Sequence, residues 1–340
     1  MTDVDRREIL ALGGALLLAE ATGATVANAE ENKAKANPTP PPMPKDLPDA
    51  WTKAPTISLW PNKPPGSAGF TPQKLPADWP AVFVRNVAQP ALHVFKPEKP
   101  NGQAILAVPG GAYWFVSVAN EGVDLAKRLN NFGFTVFVLT YRLPGEGWTP
   151  RADVPLQDAQ RAMRVIRSKA SQYGINSETL SVLGFSAGGH LTATLATQHA
   201  EHVYEAVDAA DKESTKPFSA GLIYPVITMK KEWTHEKSRD LLLGDHPSDA
   251  EVEHRCPELH VTEATPPSFI AHAMDDADVP VENSLMMMNA LRAAKHPVEA
   301  HLFQEGHHAF SLGHPNTPSA YWTDLYRAWL MRLVATTSGQ

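Results

Sequence analysis

From about residue 91 the chain alternates short apolar runs with stretches whose apolar residues recur at helical spacing, and few folds accept that order. ALHVF (91–95), QAILAVPGG (103–111), FTVFVLTYRL (134–143), TLSVLG (179–184), SAGLIYPV (219–226), PSFIAHAM (267–274) and VEAHLFQEG (298–306) read as strands. Between and after them, 155–174, 187–200, 281–295 and 321–334 read as helices. The first places Leu156, Ala159, Met163 and Ile166 on one face, with Pro155 suited to its first turn and Gly174 to its end. Strand and helix in alternation predict an α/β fold with a mostly parallel sheet covered by helices on both faces. Ligands in such sheets bind at the carboxyl ends of the strands. Two segments break the alternation: polar 200–217, and 227–265, which has no clear period. Both read as insertions, the second positioned to shape a substrate site.

At 340 residues and 43% hydrophobic, the chain can bury one large core. A net charge of -7 without a basic run argues against a nucleic-acid partner. The single cysteine, Cys256, excludes an intrachain disulfide. No apolar run reaches the roughly 20 residues of a membrane-spanning helix.

The N-terminal stretch reads as an address. Arg6 and Arg7 in DRREIL precede the apolar run LALGGALLLA, and Ala27 and Ala29 in VANAE offer a small-x-small cleavage site. This resembles a bacterial twin-arginine export signal spanning 1–29, which would send the mature chain to the periplasm or outside the cell. Residues 30–50 are polar and proline-rich and read as a linker, leaving 51–340 for the folded domain.

GFSAG (184–188) matches G-x-S-x-G between a strand and a helix, the setting of a nucleophile elbow. A serine there occupies a strained turn at positive φ. Side chains at 184 and 188 would meet neighbouring backbone, hence glycine at both. A nucleophilic serine needs a base and an orienting acid, which this order of elements places downstream as Asp and then His. HAMDDADVP (272–280) offers Asp275, Asp276 and Asp278; EGHHAF (305–310) offers His307 and His308. Spacing alone chooses neither the aspartate nor the histidine. AVPGGAYWF (107–115) offers backbone N–H groups for an oxyanion, together with that of Ala187. Tyr113 and Trp114 beside that loop, and Trp148 after the TYRLP strand, are candidates to stack on a sugar, or equally to fill the core or a lid. No H-E-x-x-H or Cys/His metal spacing occurs among the 14 histidines, so no metal or other cofactor is expected.

LWPNKPPG, VPGGAYWF, TYRLP, PLQDAQRAMRVIRSKA, VLGFSAGGHL, GLIYPVI, SRDLLLGDHPS, TPPSFIAHAMDDADVPVENS and EGHHAFSLG together resemble the α/β-hydrolase esterases, more narrowly their acetyl xylan esterase-like, carbohydrate-acting members. The similarity runs over about 56–334. It implies an α/β-hydrolase fold and a Ser-His-Asp acyl-enzyme mechanism. The family's acid, four residues before the proline of D-x-x-V-P, falls on Asp276. Its base, in G-x-H-x-F, falls on His308, with His307 in reserve. The oxyanion donors carried over are the N–H groups of Gly111 and Ala112. Ala112 replaces a glycine, and its donor is expected to survive if φ is negative. The implied substrate is a short-chain, acetyl-type ester on a saccharide. The alternatives are a broad short-chain carboxylesterase and a non-catalytic carbohydrate-binding relative, which would have lost one of Ser, Asp or His.

Overall fold

The computed structural model describes residues 45–338. The export signal and the first part of the proline-rich linker lie outside the described residues. The end of that linker already belongs to the fold. The carbonyl of Lys45 accepts from the Ala81 N–H, and Trp51, in a short helix Asp49–Thr52, is buried against the His93 ring at 3.6 Å.

Among the described residues ten strands follow in chain order: β1 Thr56–Ser58, β2 Phe83–Val84, β3 Ala91–Phe95, β4 Ala104–Val108, β5 Val116–Ser117, β6 Thr135–Thr140, β7 Ser181–Phe185, β8 Ala220–Ile223, β9 Ser268–Ala273 and β10 Val298–Phe303. Eight form one sheet in the order β1-β3-β6-β4-β7-β8-β9-β10, while β2 and β5 make a separate ribbon. Every pair from β6 to β10 is parallel; β1 and β3 are antiparallel to their neighbours. The central strands β4, β6, β7, β8 and β9 are buried along their whole length, as a sheet covered on both faces requires.

Alternation along the strands sorts the helices. Leu222 and Ile270 turn to one face, against Ala193 of helix Ser186–Gln198 and Met287 and Leu291 of helix Glu282–Ala293. Gly221 and Phe269 turn to the other, where they meet Tyr326 and Trp329 of helix Trp322–Ser338. Each fully buried Leu or Met contributes about 1.5–3 kcal/mol, so either face alone outweighs any single surface ion pair.

β4, β6, β8, β9 and β10 stop short of their apolar runs at the carboxyl edge, where the runs continue into loops; β3 matches its run and β7 ends one residue beyond TLSVLG. Helix 155–174 divides into Val154–Ser168 and a short turn Ala170–Tyr173, closed by Gly174 at φ 64°. A stretch the strand-and-helix reading passed over, 119–130, is a π-helical segment Ala119–Asp124 running into helix Leu125–Asn130. Segment 200–217 straps helix Val154–Ser168. Arg161 pairs with Asp208 and Asp211, and Arg167 donates to the carbonyls of Ser214 and Lys216. Segment 227–265 carries helices Glu236–Leu243 and Asp249–His254. It also holds Cys256, a buried thiol that accepts from the Met229 N–H and donates to the Val252 carbonyl. Among the described residues no helix is long and apolar enough to cross a membrane.

Candidate active site

β7 runs into helix Ser186–Gln198 with no residue between them. Phe185 is still extended, and Ser186 turns the chain at φ 49°. A non-glycine residue there costs on the order of 1–3 kcal/mol. Packing holds it: Val226 donates its N–H to the Ser186 carbonyl at 3.0 Å. The flanking glycines are required by contact. A Cβ on Gly184 would lie 2.3 Å from the Gly188 carbonyl oxygen, and one on Gly188 2.3 Å from that of Val108. The turn leaves Ser186 only 6% exposed, at the carboxyl edge of the sheet.

The loop after β9 delivers Asp276 and the loop after β10 delivers His308. Ser186 Oγ lies 2.9 Å from His308 Nε2, and His308 Nδ1 lies 2.7 Å from Asp276 Oδ2. A carboxylate only accepts, so Nδ1 carries the proton and Nε2 accepts from the serine hydroxyl. Asp276 takes four donors. Asp278 and Val279 give backbone N–H groups to Oδ1, and the His308 and His272 rings approach Oδ2. His272, buried on β9, has Nε2 against two acceptors, Asp276 and the Val279 carbonyl. That nitrogen therefore holds the proton, and Nδ1 accepts from the Ser284 hydroxyl at 2.7 Å. Burial works to raise the Asp276 pKa, but the His272 and His308 hydrogen bonds win and hold the carboxyl well below the usual range. For His308 burial opposes the charged form, yet the Asp276 carboxylate, with Asp278 and Glu121 beyond it, lifts the imidazole above its ordinary value.

The structure separates the paired candidates. His307 turns outward at φ 53° to Asp275, with Nδ1 3.1 Å from Oδ2, and is half-exposed. Asp278 reaches Asp276 only through its backbone N–H.

The loop Pro109–Ala112 lies against the elbow. A Cβ on Gly110 would meet the Phe185 carbonyl at 2.7 Å and the Ser186 Cβ at 3.0 Å. The loop is tied at each residue before Ala112. The Pro109 carbonyl accepts from the Tyr141 hydroxyl, the Gly110 N–H donates to Glu121, and the Gly111 carbonyl accepts from Trp114 and Phe115. The N–H groups of Gly111 and Ala112 make no hydrogen bond among the described residues. Ala112 departs from expectation: its φ is +56°, followed by Tyr113 at +58°, and even so its N–H makes no hydrogen bond among the described residues and stays open as a donor. Two successive left-handed residues are held because the Tyr113 hydroxyl anchors on His190 Nδ1 at 2.8 Å, one turn along the helix that begins at Ser186. Ala187 is the second residue of that helix, where backbone N–H groups point off the end.

The three aromatic candidates for sugar stacking need correction. Tyr113 is 1% exposed and Trp148 3%. Trp148 stacks on Phe70 at 4.3 Å with the Arg142 guanidinium 5.1 Å away. Trp114 is buried, with the Lys237 ammonium 3.4 Å from its ring centre and the Arg85 guanidinium 5.6 Å away. None offers a free ring face. Position beside a glycine loop does not report which way a ring turns, and here each turns inward.

Segment 227–265 does reach the site. Asn283, behind the Asp276 loop, donates to the Trp233 carbonyl and accepts from the N–H groups of Ile227 and Thr228, and Lys237 covers Trp114. His235, between them, donates or accepts through Nδ1 to Ser238; burial first, then nearby His308 and Lys237, pull its pKa to about 4. Glu121 in the π-helical segment, Tyr224 just after β8, His235 before helix Glu236–Leu243 and His272 on β9 are the neighbours that spacing missed. Among the described residues no group of histidine, cysteine and carboxylate side chains could hold a metal ion.

The BD-FAE family model matches residues 92–291, more than half the chain. An endo-1,4-beta-xylanase B of Butyrivibrio fibrisolvens is 38% identical over 208 residues, covering 61% of this chain and 32% of the xylanase. An acetylxylan esterase of Xylanibacter ruminicola is 32% identical over 223 residues, covering 64% of this chain and 43% of that protein. The chain thus spans less than half the length of these curated relatives. Among solved structures, an acetyl ester-xyloside bifunctional hydrolase from Caldicellulosiruptor lactoaceticus superposes with a TM-score of 0.70 at 32% identity, covering 82% of this chain and 96% of that one. Sheet order, elbow and these similarities agree: the chain belongs to the BD-FAE family and has the α/β-hydrolase fold.

Proposed function

We propose that the protein is an exported serine esterase that removes short acyl groups, acetyl first, from carbohydrate such as acetylated xylan or its oligosaccharides. The observation that carries the reading is the unbroken chain from Ser186 Oγ through His308 to Asp276 at the carboxyl edge of the sheet. Supporting the substrate class are the acetylxylan esterase relative and the bifunctional acetyl ester-xyloside neighbour. Supporting export is the Arg6-Arg7 stretch with its apolar run.

In this reading His308 Nε2 takes the proton of Ser186 as Oγ attacks the ester carbonyl. The developing oxyanion is met by the N–H groups of Gly111, Ala112 and Ala187, each such donor being worth about 10²–10³ in rate. Asp276 keeps the Nδ1 proton in place and stabilises the imidazolium. The imidazolium then protonates the departing alcohol. Water, activated by the same His308, hydrolyses the acyl-serine and restores the enzyme. No cofactor enters the scheme.

A second reading, a broad short-chain carboxylesterase, is favoured by one finding: Tyr113, Trp114 and Trp148 present no ring face to a sugar. Acetate release from acetylated xylan, with an aryl acetate in parallel, tests both. Release from both substrates, lost in Ser186→Ala, supports the carbohydrate esterase. Hydrolysis of the aryl ester alone selects the second reading. Undiminished release by the variant would overturn the serine mechanism.

A further inference from the structure

Behind the catalytic residues lies a buried acid that the scheme above leaves unused. Glu121 sits in the π-helical segment after the oxyanion loop and is 3% exposed. Its Oε2 accepts the Gly110 N–H at 2.7 Å and its Oε1 accepts the Tyr224 hydroxyl at 2.8 Å. The Tyr224 oxygen in turn accepts the Ser311 N–H at 3.2 Å, and the Tyr224 ring stands edge-on to His308, centre to centre 5.2 Å. A second tie runs beside it, from the Ser311 hydroxyl to the Asn120 carbonyl. Tyr224 follows β8 at φ 36°, a conformation that a non-glycine residue keeps only where its surroundings impose it.

We propose that Glu121 is a positioning residue of the esterase, one carboxylate that fastens the oxyanion loop at Gly110 and, through Tyr224, the loop that carries His308. The proposal rests on the serine-esterase reading. Three separate loops, after β4, β8 and β10, must be held to a few tenths of an ångström for Ser186, the donors and the base to act together, and a misplacement of about 1 Å costs on the order of 10²-fold. Glu121 reaches the first two directly and the third through Tyr224. By engaging the Gly110 N–H it also decides which donors stay available, those of Gly111 and Ala112.

The carboxylate bears on His308 by charge as well. The groups facing His308 are Asp276 and Asp278 from the acid loop, Glu121 from below, and His235 from segment 227–265. Glu121, with both oxygens accepting, has the hydrogen-bond pattern of an anion, though burial raises its pKa against the Tyr224 and Gly110 bonds that lower it. An anion there favours the imidazolium of His308.

The test compares Glu121→Ala, Glu121→Gln and Tyr224→Phe with the parent enzyme on an aryl acetate, with Ser186→Ala as the control that checks the underlying reading separately. Glu121→Ala and Tyr224→Phe are expected to lower kcat about 10²-fold, with KM changed far less. Glu121→Gln keeps an acceptor for Gly110 but loses the charge, so it should retain more of kcat while the acid limb of kcat/KM moves to lower pH. A merely structural glutamate would lower the unfolding midpoint without moving that limb. Parent-like kcat in folded Glu121→Ala and Tyr224→Phe, or an unmoved acid limb in Glu121→Gln, would overturn the proposal. Should Glu121→Ala not fold, Tyr224→Phe, which deletes one hydroxyl, still decides it.

Discussion

Two buried polar networks in this molecule invite comparison, because both grow from stretches that carry the family resemblance. In one, Arg142 of TYRLP meets Asp158 of PLQDAQR, both side chains fully buried. Asp158 also accepts from the Trp60 indole and the Arg142 N–H, while Arg142 donates further to Gln157 and the Pro65 carbonyl. In the other, Asp276, His308 and Ser186 form a chain. The first closes on itself, each donor meeting an acceptor within the protein. The second ends on a hydroxyl at the sheet edge, where a substrate can take the next place. A distinctive motif therefore marks either a scaffold or a site. What separates them is whether the hydrogen bonding terminates inside the protein or at a group with somewhere left to react.

Substitutions sharpen that contrast. Ser186→Ala should lower kcat by about six orders of magnitude while leaving the unfolding transition in place. Asp276→Asn, which keeps shape but no longer fixes the His308 tautomer, should cost about 10⁴ in kcat, read in the same ester assay. Asp158→Ala leaves Arg142 buried and unpaired and should remove about 3–5 kcal/mol of stability in urea unfolding. The folded fraction should keep near-parent kcat; a catalytic loss on the scale of Ser186→Ala there would erase the distinction between the networks. In the proposed mechanism His308 acts as base only when neutral, and the pH profile follows from that. Its pKa is raised, so kcat/KM should fall with decreasing pH through a point above the ordinary imidazole value of about 6.5, while Asp276 stays ionised throughout. His307→Ala removes only an exposed pair with Asp275, worth about 0–1 kcal/mol. Neither kcat nor the acid limb should change, and a large loss would return His307 to consideration as the base.

Much of the sheet and the elbow was legible in the residues themselves, because burial on both faces forces continuous apolar runs and Gly184 and Gly188 have no room for a side chain. The choice of Asp276 and His308 was legible only through the resemblance. His307, Ala309 and Ser311 all take positive φ, and no periodicity says which of two adjacent histidines such a loop turns inward. For the same reason no pattern told which way the rings of Tyr113, Trp114 and Trp148 turn, and all three are buried. Glu121 and Tyr224 stand 103 residues apart and carry no local pattern, so their meeting depends on the strand order that places β4 and β8 on either side of β7.

Cys256 gives this architecture a built-in clock. Its thiol is fully buried in the segment that also places His235 and Lys237 beside the catalytic loops, and burial first, then Glu258, raise its pKa. Such a sulfur reacts with an alkylating reagent only while its surroundings have opened. The rate at which the native protein consumes one equivalent of reagent therefore times the breathing of that segment. The same rate, taken with and without an acyl group on Ser186, would tell whether turnover slows or quickens the motion.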